Sequence, residues 1–196
     1  MFNNRELARD RQRKLLDELL EGHKRFLSGN PRPKKYSLLG SLNLVNKDVA
    51  TVLSCSDSRV SPELVFDQSF GDLFVIRSAG HCLDEAILGS LEFAVTQVNS
   101  PLLIVMGHED CRAVDAALNK KSFDTPNLKE VIDLLSAGLG PGPFGNLDEA
   151  VKAHVHNTAG SIAEKSPILG KKMVSGELLL AKVFISVSSG AIQLLD

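Results

Sequence analysis

The sequence has few cysteines, little net charge and no long apolar run, and each absence excludes a class of protein. Three cysteines among 196 residues, an odd number, argue against a disulfide scaffold and favour thiols that are buried, catalytic or bound to metal. A net charge of -2 provides no electrostatic basis for general binding to nucleic acid or to anionic membranes. No apolar run approaches the roughly 18 residues that span a bilayer, and the first residues lack the apolar segment of a secretory signal. We therefore expect a cytoplasmic protein whose partner is a small molecule.

Strand and helix patterns alternate along the chain and predict one α/β domain over residues 1–196. Residues 1–48 form an N-terminal helical arm and a linker, and residues 49–196 form the core. The arm helix, from Asn4 to Leu27, carries an apolar stripe that packs on its own domain or on a second copy of the chain. Short buried strands are predicted at Val49–Ser54, Asp72–Arg77 and Pro101–Gly107. The alternation predicts a mostly parallel sheet flanked by helices, with a site beyond the carboxyl ends of its strands.

Two later segments complete the predicted architecture. Leu178–Val187 and Ala191–Leu195 have the pattern of strand, turn and strand, and we expect them at the edge of the sheet. The glycine-rich segment Gly138–Asn146 is predicted to be a surface loop. A phosphate-binding interpretation would require a strand before it, a helix directly after it and no prolines within the turn.

The predicted helix from Asp84 to Val98 has two apolar faces. Most of its apolar side chains fall within one arc at about 100° per residue, whereas Phe93 lies on roughly the opposite side, beside Ala86 and Gly89. A chance surface aromatic would explain this pattern, but a second packed partner or a pocket wall explains it better.

Cysteine and histidine side chains follow two of the predicted core strands. Cys55 comes directly after the first strand, and His108 and Cys111 come directly after the third. Two thiolates and one imidazole are a common set of three protein ligands for zinc, and they leave the fourth position open for catalysis. Taken singly, each residue has an ordinary explanation as a core thiol or a chance HxxC pattern. Their placement at two strand ends favours a zinc site.

Asp57 and Arg59 lie on the same turn as Cys55. A bidentate pair between them would hold the carboxylate ionised and oriented beside a metal. The alternative is an ordinary loop salt bridge with no metal nearby. A tyrosine-phosphatase interpretation fails, because that loop needs an arginine six residues after its cysteine, and Arg59 comes four residues after Cys55.

Four motifs follow one another within residues 49–117: CSDSRV, GDLFVIRSAGH, LGSLEFAV and MGHEDCRAV. In this order they resemble the β-class carbonic anhydrases, and the flanking segments match in outline. The resemblance implies a parallel sheet with an antiparallel edge strand, and a homodimer or multiple of dimers whose N-terminal helices embrace the partner chain. It implies one zinc per chain on Cys55, His108 and Cys111, beside Asp57 and Arg59. The substrate-pocket residues that it implies are Asn46, Phe74, Phe93 and Gly107.

The activity implied by the resemblance is the reversible hydration of carbon dioxide to bicarbonate and a proton, which makes the chain a zinc lyase. In some members the residue equivalent to Asp57 turns onto the zinc and closes the site. Two alternatives stay open: a hydrolase for carbonyl sulfide or carbon disulfide on the same scaffold, and a non-catalytic homologue that acts as an assembly subunit.

Three positions need separate interpretation. Arg112 replaces the glycine common after the second cysteine of the family, and we expect its side chain to point outward and pair with Glu109, Asp115 or a partner chain. His81 is a possible proton shuttle, although a structural hydrogen-bonding role is the stronger interpretation. Cys82 has no motif partner and is expected to be a buried thiol.

Overall fold

The computed structural model describes residues 4–33 and 49–196, so Asn46 lies outside the described residues. A five-stranded sheet has the order β2-β1-β3-β4-β5, in which the first four strands are parallel and β5 is antiparallel to β4. The predicted mostly parallel sheet with an antiparallel edge strand is therefore confirmed. The strands are β1 (Ala50–Cys55), β2 (Leu73–Ser78), β3 (Leu102–His108), β4 (Leu179–Ile185) and β5 (Ile192–Leu195).

Helices cover both faces of this sheet, and several begin where the sequence supplies a cap. Asp84 accepts a hydrogen bond from the Ile87 amide at 2.7 Å, and Asn146 accepts one from the Glu149 amide at 2.9 Å. The helices are α1 (Asn4–Leu27), α2 (Pro62–Val65), α3 (Glu85–Thr96), α4 (Arg112–Leu118), α5 (Pro126–Leu139), α6 (Leu147–Lys165) and α7 (Pro167–Ser175). Single 3₁₀ turns occupy Ser58–Val60 and Ala79–His81. The loop between α5 and α6, residues 140–146, is exposed except at Phe144. The predicted surface loop Gly138–Asn146 begins two residues too early, because Gly138 and the buried Leu139 still belong to α5.

The two central strands, β1 and β3, are buried along their whole length because helices cover both of their faces. Leu53, Leu103 and Val105 face one layer of the core, which they share with residues of α3 and α6. The intervening residues, such as Val52 and Ile104, face the opposite layer and pack with α1 and with the residues around α2.

The N-terminal helix packs on its own chain in the second of these layers. Leu19 is buried against β1 and β3, and Leu15 and Leu16 are half-buried beside it. Phe26 and Leu27, which the sequence places on the same stripe, are exposed at the end of the helix. Within the described ranges, no helix is both long and apolar enough to cross a membrane.

Gly22 determines how closely α1 approaches the residues after α2. A Cβ atom at this position would lie 2.0 Å from the carbonyl oxygen of Phe66, which is a backbone atom. We predict that Gly22→Ala lowers the free energy of unfolding by about 1–3 kcal/mol, because the helix must move away from this contact. Urea denaturation measures the change.

Gly160→Ala is the matched control for this substitution. Gly160 lies inside α6 and is exposed, and a Cβ atom there would meet no other atom of the described residues within 4 Å. Alanine there raises the free energy of unfolding by about 0.5–1 kcal/mol through helix propensity. Equal effects of the two substitutions would contradict the close approach of α1.

Candidate metal centre

The pairing of β1 with β3 brings the predicted ligands together. Cys55 is the last residue of β1, His108 is the last residue of β3, and Cys111 is the N-cap of α4. Their ligand atoms all lie within 4.8 Å of one another, the two Sγ atoms are 3.9 Å apart, and all three side chains are buried. Parallel strands end at the same edge of a sheet, which explains this convergence.

The orientation of His108 leaves one ring nitrogen available to a metal. Nδ1 donates a hydrogen bond to the carbonyl oxygen of Glu109 at 2.8 Å, which assigns the proton of the neutral ring to this atom. The other nitrogen, Nε2, is buried and has no hydrogen-bond partner among the described residues. A buried acceptor without a donor beside two thiols fits a metal ligand.

A hydrogen bond from the Cys111 thiol to Cys55 Sγ links the two cysteines. The hydrogen bond from the Cys111 thiol lowers the pKa of Cys55, against the opposing effect of burial, and the Gly80 amide adds a bond to Cys55 Sγ at 3.3 Å. The same thiol–thiol bond, together with burial, raises the pKa of Cys111. Two sulfurs and one imidazole nitrogen are a donor set that suits zinc.

Asp57 and Arg59 form the predicted bidentate pair beside the ligands. Arg59 donates from Nε to Oδ1 at 3.0 Å and from Nη2 to Oδ2 at 2.7 Å, and its amide also donates to Oδ1. The arginine therefore holds the pKa of Asp57 well below its usual value. Arg59 also contacts Asp110, which ties the turn after β1 to the loop between His108 and Cys111.

Arg77 is a site residue to which sequence reasoning assigned no role. From the end of β2 it donates to the carbonyl oxygens of Cys55 at 2.9 Å and Asp57 at 2.6 Å, and so fixes the backbone between them. Its position within GDLFVIRSAGH was a possible signal, but only the pairing of Ser54 with Arg77 shows which carbonyls it can reach.

His81 is buried behind the ligand cluster. Its ring centroid lies 4.5 Å from that of His154 on α6, and neither ring nitrogen of His81 has a hydrogen-bond partner among the described residues. Burial, followed by the nearby charges of His154 and His108, lowers its pKa well below the usual value. A neutral ring without solvent contact is poorly suited to carry protons to solvent, and within the described part of the chain it also lacks the hydrogen bonds expected of a structural role.

The proposed pocket residues divide into two groups. Phe74 of β2 and Phe93 of α3 pack with ring centroids 6.3 Å apart, and Phe93 is 54% exposed, on the side of α3 away from its buried residues. Gly107 instead faces α6, since a Cβ there would lie within 2.8 Å of Val151 and Val155 side-chain atoms. Gly107 thus allows α6 to pack closely on β3.

The structure agrees with the expectation for Cys82 but only in part with that for Arg112. Cys82 is buried, as expected, and burial raises the pKa of its thiol. Arg112 is exposed, but the expected pairing with Glu109 or Asp115 is wrong for the described residues. Glu109 accepts hydrogen bonds from the turn after β4, and Asp115 pairs with Lys121.

Comparison with known proteins shows the family to which the chain belongs. A sequence profile described as carbonic anhydrase matches residues 50–192. Carbonic anhydrase 2 of Mycobacterium tuberculosis is 35% identical over 186 residues, covering 91% of this chain and 90% of that protein. The carbonic anhydrase of Mycolicibacterium smegmatis is 32% identical over 184 residues, covering 90% of this chain and 89% of that protein. The chain belongs to the β-carbonic anhydrase family.

Solved structures of the family share the fold. The β-carbonic anhydrase CcaA superposes with a TM-score of 0.69 at 22% identity, over 92% of this chain and 87% of that one. A tetrameric β-carbonic anhydrase from Sordaria macrospora has a TM-score of 0.63 at 18% identity, over 86% of this chain and 83% of that one.

The buried, neutral state of His81 predicts a pH dependence of stability. An unfolded histidine binds a proton below about pH 6.5, whereas folded His81 does not, so the free energy of unfolding falls as the pH decreases below 6.5. This group contributes a slope of up to about 1.4 kcal/mol per pH unit. We predict a shallower slope between pH 6.5 and 5.5 for His81→Leu, measured by urea denaturation with both proteins zinc-loaded. Identical slopes would show that folded His81 does titrate in this range.

Proposed function

We propose that this chain catalyses the reversible hydration of carbon dioxide to bicarbonate and a proton, with one zinc ion per chain. The observation that carries the proposal is the buried, unpartnered Nε2 of His108 beside two thiols, next to a carboxylate held ionised by an arginine. Membership of the β-carbonic anhydrase family supports the same activity.

The three ligands would hold the ion through two sulfurs and one nitrogen. Zinc bound in this way lowers the pKa of a coordinated water to about 7 and so supplies a nucleophile at neutral pH. Two thiolates balance the charge of the ion, and the Gly80 amide stabilises the Cys55 thiolate by its hydrogen bond to Sγ.

Asp57 would orient the attacking hydroxyl. A carboxylate has about four acceptor positions, and Arg59 fills two on Oδ1 and one on Oδ2. The remaining position on Oδ2 would be available to accept a hydrogen bond from the attacking group and so to orient it. Arg77 supports this arrangement, because it holds the Asp57 carbonyl.

We predict that ligand and dyad variants fail in different ways. Cys55→Ser and Cys111→Ser lose most of their zinc, because a hydroxyl is a poor ligand for it at neutral pH. Asp57→Asn and Arg59→Ala keep their zinc but lose turnover by about 10–100-fold, because they change orientation rather than coordination. Elemental analysis measures the zinc, and stopped-flow spectroscopy measures carbon dioxide hydration.

Cys82→Ser is the control, because Cys82 is buried but lies outside the ligand set, and it should keep both zinc and turnover. Undiminished zinc in both ligand variants would refute the ligand assignment. Carbonyl sulfide hydrolysis is assayed on the same metal-quantified protein. Faster turnover of that substrate would support a sulfur-substrate hydrolase, and zinc binding without either reaction would support a non-catalytic assembly subunit.

We also propose a homodimer or a multiple of dimers in the cytoplasm. The half-buried Phe74 lies on β2, which is an edge strand of the sheet, and the exposed Phe93 of α3 packs against it. Together they present apolar surface for a partner chain. The tetrameric relative from Sordaria macrospora supports assembly. Three cysteines without a disulfide suit the reducing cytoplasm.

A charge at Phe93 should weaken this assembly. We predict that light scattering at micromolar concentration reports a dimer or larger for the unmodified protein and a smaller mass for Phe93→Glu, because the carboxylate would be buried without a partner. Val174→Glu, at a side chain that is 84% exposed on α7, is the control and should keep the original mass. An unmodified protein that is monomeric and fully active would refute the proposal.

A further inference from the structure

We propose that Glu109 is a positioning residue for His108. Its side chain binds the turn between β4 and β5, and this contact fixes the backbone carbonyl of Glu109 that orients the imidazole of His108. The inference rests on the proposed zinc site and adds a determinant outside its ligands. The side chain of Glu109 binds this turn, and its effect on the metal centre passes through the backbone.

Both the backbone and the side chain of Glu109 are fastened. Its amide donates to the carbonyl oxygen of Ile185 at 2.8 Å and extends the contact between β3 and β4. Its carboxylate accepts from the Ser186 hydroxyl at 2.8 Å, from the Ser188 amide at 2.8 Å and from the Ser188 hydroxyl at 2.8 Å. Four directed contacts therefore fix the position and rotation of this residue.

The carbonyl oxygen of Glu109 is the acceptor for His108 Nδ1, at 2.8 Å. The hydrogen bond keeps the proton on Nδ1 and leaves the lone pair of Nε2 for the metal. On the other side, Arg59 holds the carbonyl oxygen of Asp110 at 3.1 Å. The loop between His108 and Cys111 is thus held by contacts on two sides. The contacts of Glu109 are the ones that fix the orientation of the imidazole.

The turn has internal hydrogen bonds that do not involve Glu109. Ser186 donates its amide to the Ala191 carbonyl at 2.9 Å, and the Ser189 hydroxyl donates to Ser186 Oγ at 2.9 Å. Loss of the Glu109 carboxylate therefore leaves the internal hydrogen bonds of the turn intact. The main structural change should occur in the segment after β3.

The test compares Glu109→Ala with Glu109→Gln in the zinc-loaded protein. Zinc affinity is measured by competition with a chelator, and the Nδ1–H resonance of His108 is followed by ¹⁵N-resolved NMR. We expect Glu109→Ala to weaken zinc binding about 10–100-fold and to broaden or shift the resonance. Glutamine retains an oxygen acceptor for the serine donors, so Glu109→Gln should keep most of the zinc affinity and a resonance close to that of the unmodified protein.

Glu177→Ala is the matched control, because Glu177 also accepts a serine hydroxyl, from Ser175 at 2.8 Å, but precedes β4 at the opposite end of the sheet. It should leave affinity and resonance unchanged. If Glu109→Ala does not fold, the Ser186→Ala, Ser188→Ala double variant removes the hydroxyl donors and should show the same changes to a smaller degree. Unaltered affinity and resonance in the folded variants would refute the positioning role, whereas failure of the unmodified protein to bind zinc would refute the proposed function itself.

Discussion

The parallel pairing of β1 with β3 is the constraint on which the metal centre depends. Ser54 is paired with Met106, so Cys55 and His108 leave the sheet at the same edge, and Cys111 follows within one short loop. Because side chains alternate along a strand, a slip of one residue would turn Cys55 to the other face. The burial of both strands on both faces makes such a slip costly, so core packing specifies the site.

The loops that follow β1 and β3 are held in place by hydrogen bonds between side chains and backbone atoms. These bonds do not involve the side chains of the three proposed metal ligands. Arg77 holds the carbonyls of Cys55 and Asp57 from β2, and Glu109 is held by the turn after β4. These contacts come from strands on either side of the central pair. The site therefore depends on four neighbouring strands, which explains why it requires the complete sheet and not a short motif.

The strands and the cluster of Cys55, His108 and Cys111 could be predicted from the sequence. Apolar runs indicate buried strands, and the cluster lies at or just after the ends of two of them. β1, β2 and β3 each lie about one residue later than predicted. Contacts between distant residues could not be predicted: Glu109 and Ser188 are 79 positions apart, and no periodicity links them. The expected pairing of Arg112 with Glu109 or Asp115 was wrong, because helical spacing does not show which other groups compete for a carboxylate. Lys121 pairs with Asp115, and Ser188 donates to Glu109.

At position 112, where the family resemblance implies a glycine, an arginine is accommodated because its side chain does not enter the packed core. As the first residue of α4, Arg112 is exposed, whereas the buried side of that helix contains Val114, Ala116 and Ala117. A packing restriction falls instead on Gly80, where a Cβ would lie 2.8 Å from Leu135 and where φ is +61°. Any larger residue at Gly80 would require the Leu135 side chain to shift and would strain the backbone whose amide donates to Cys55 Sγ. The hydrogen bond to Cys55 Sγ thus depends on a glycine at the packed position 80, whereas the exposed position 112 tolerates an arginine.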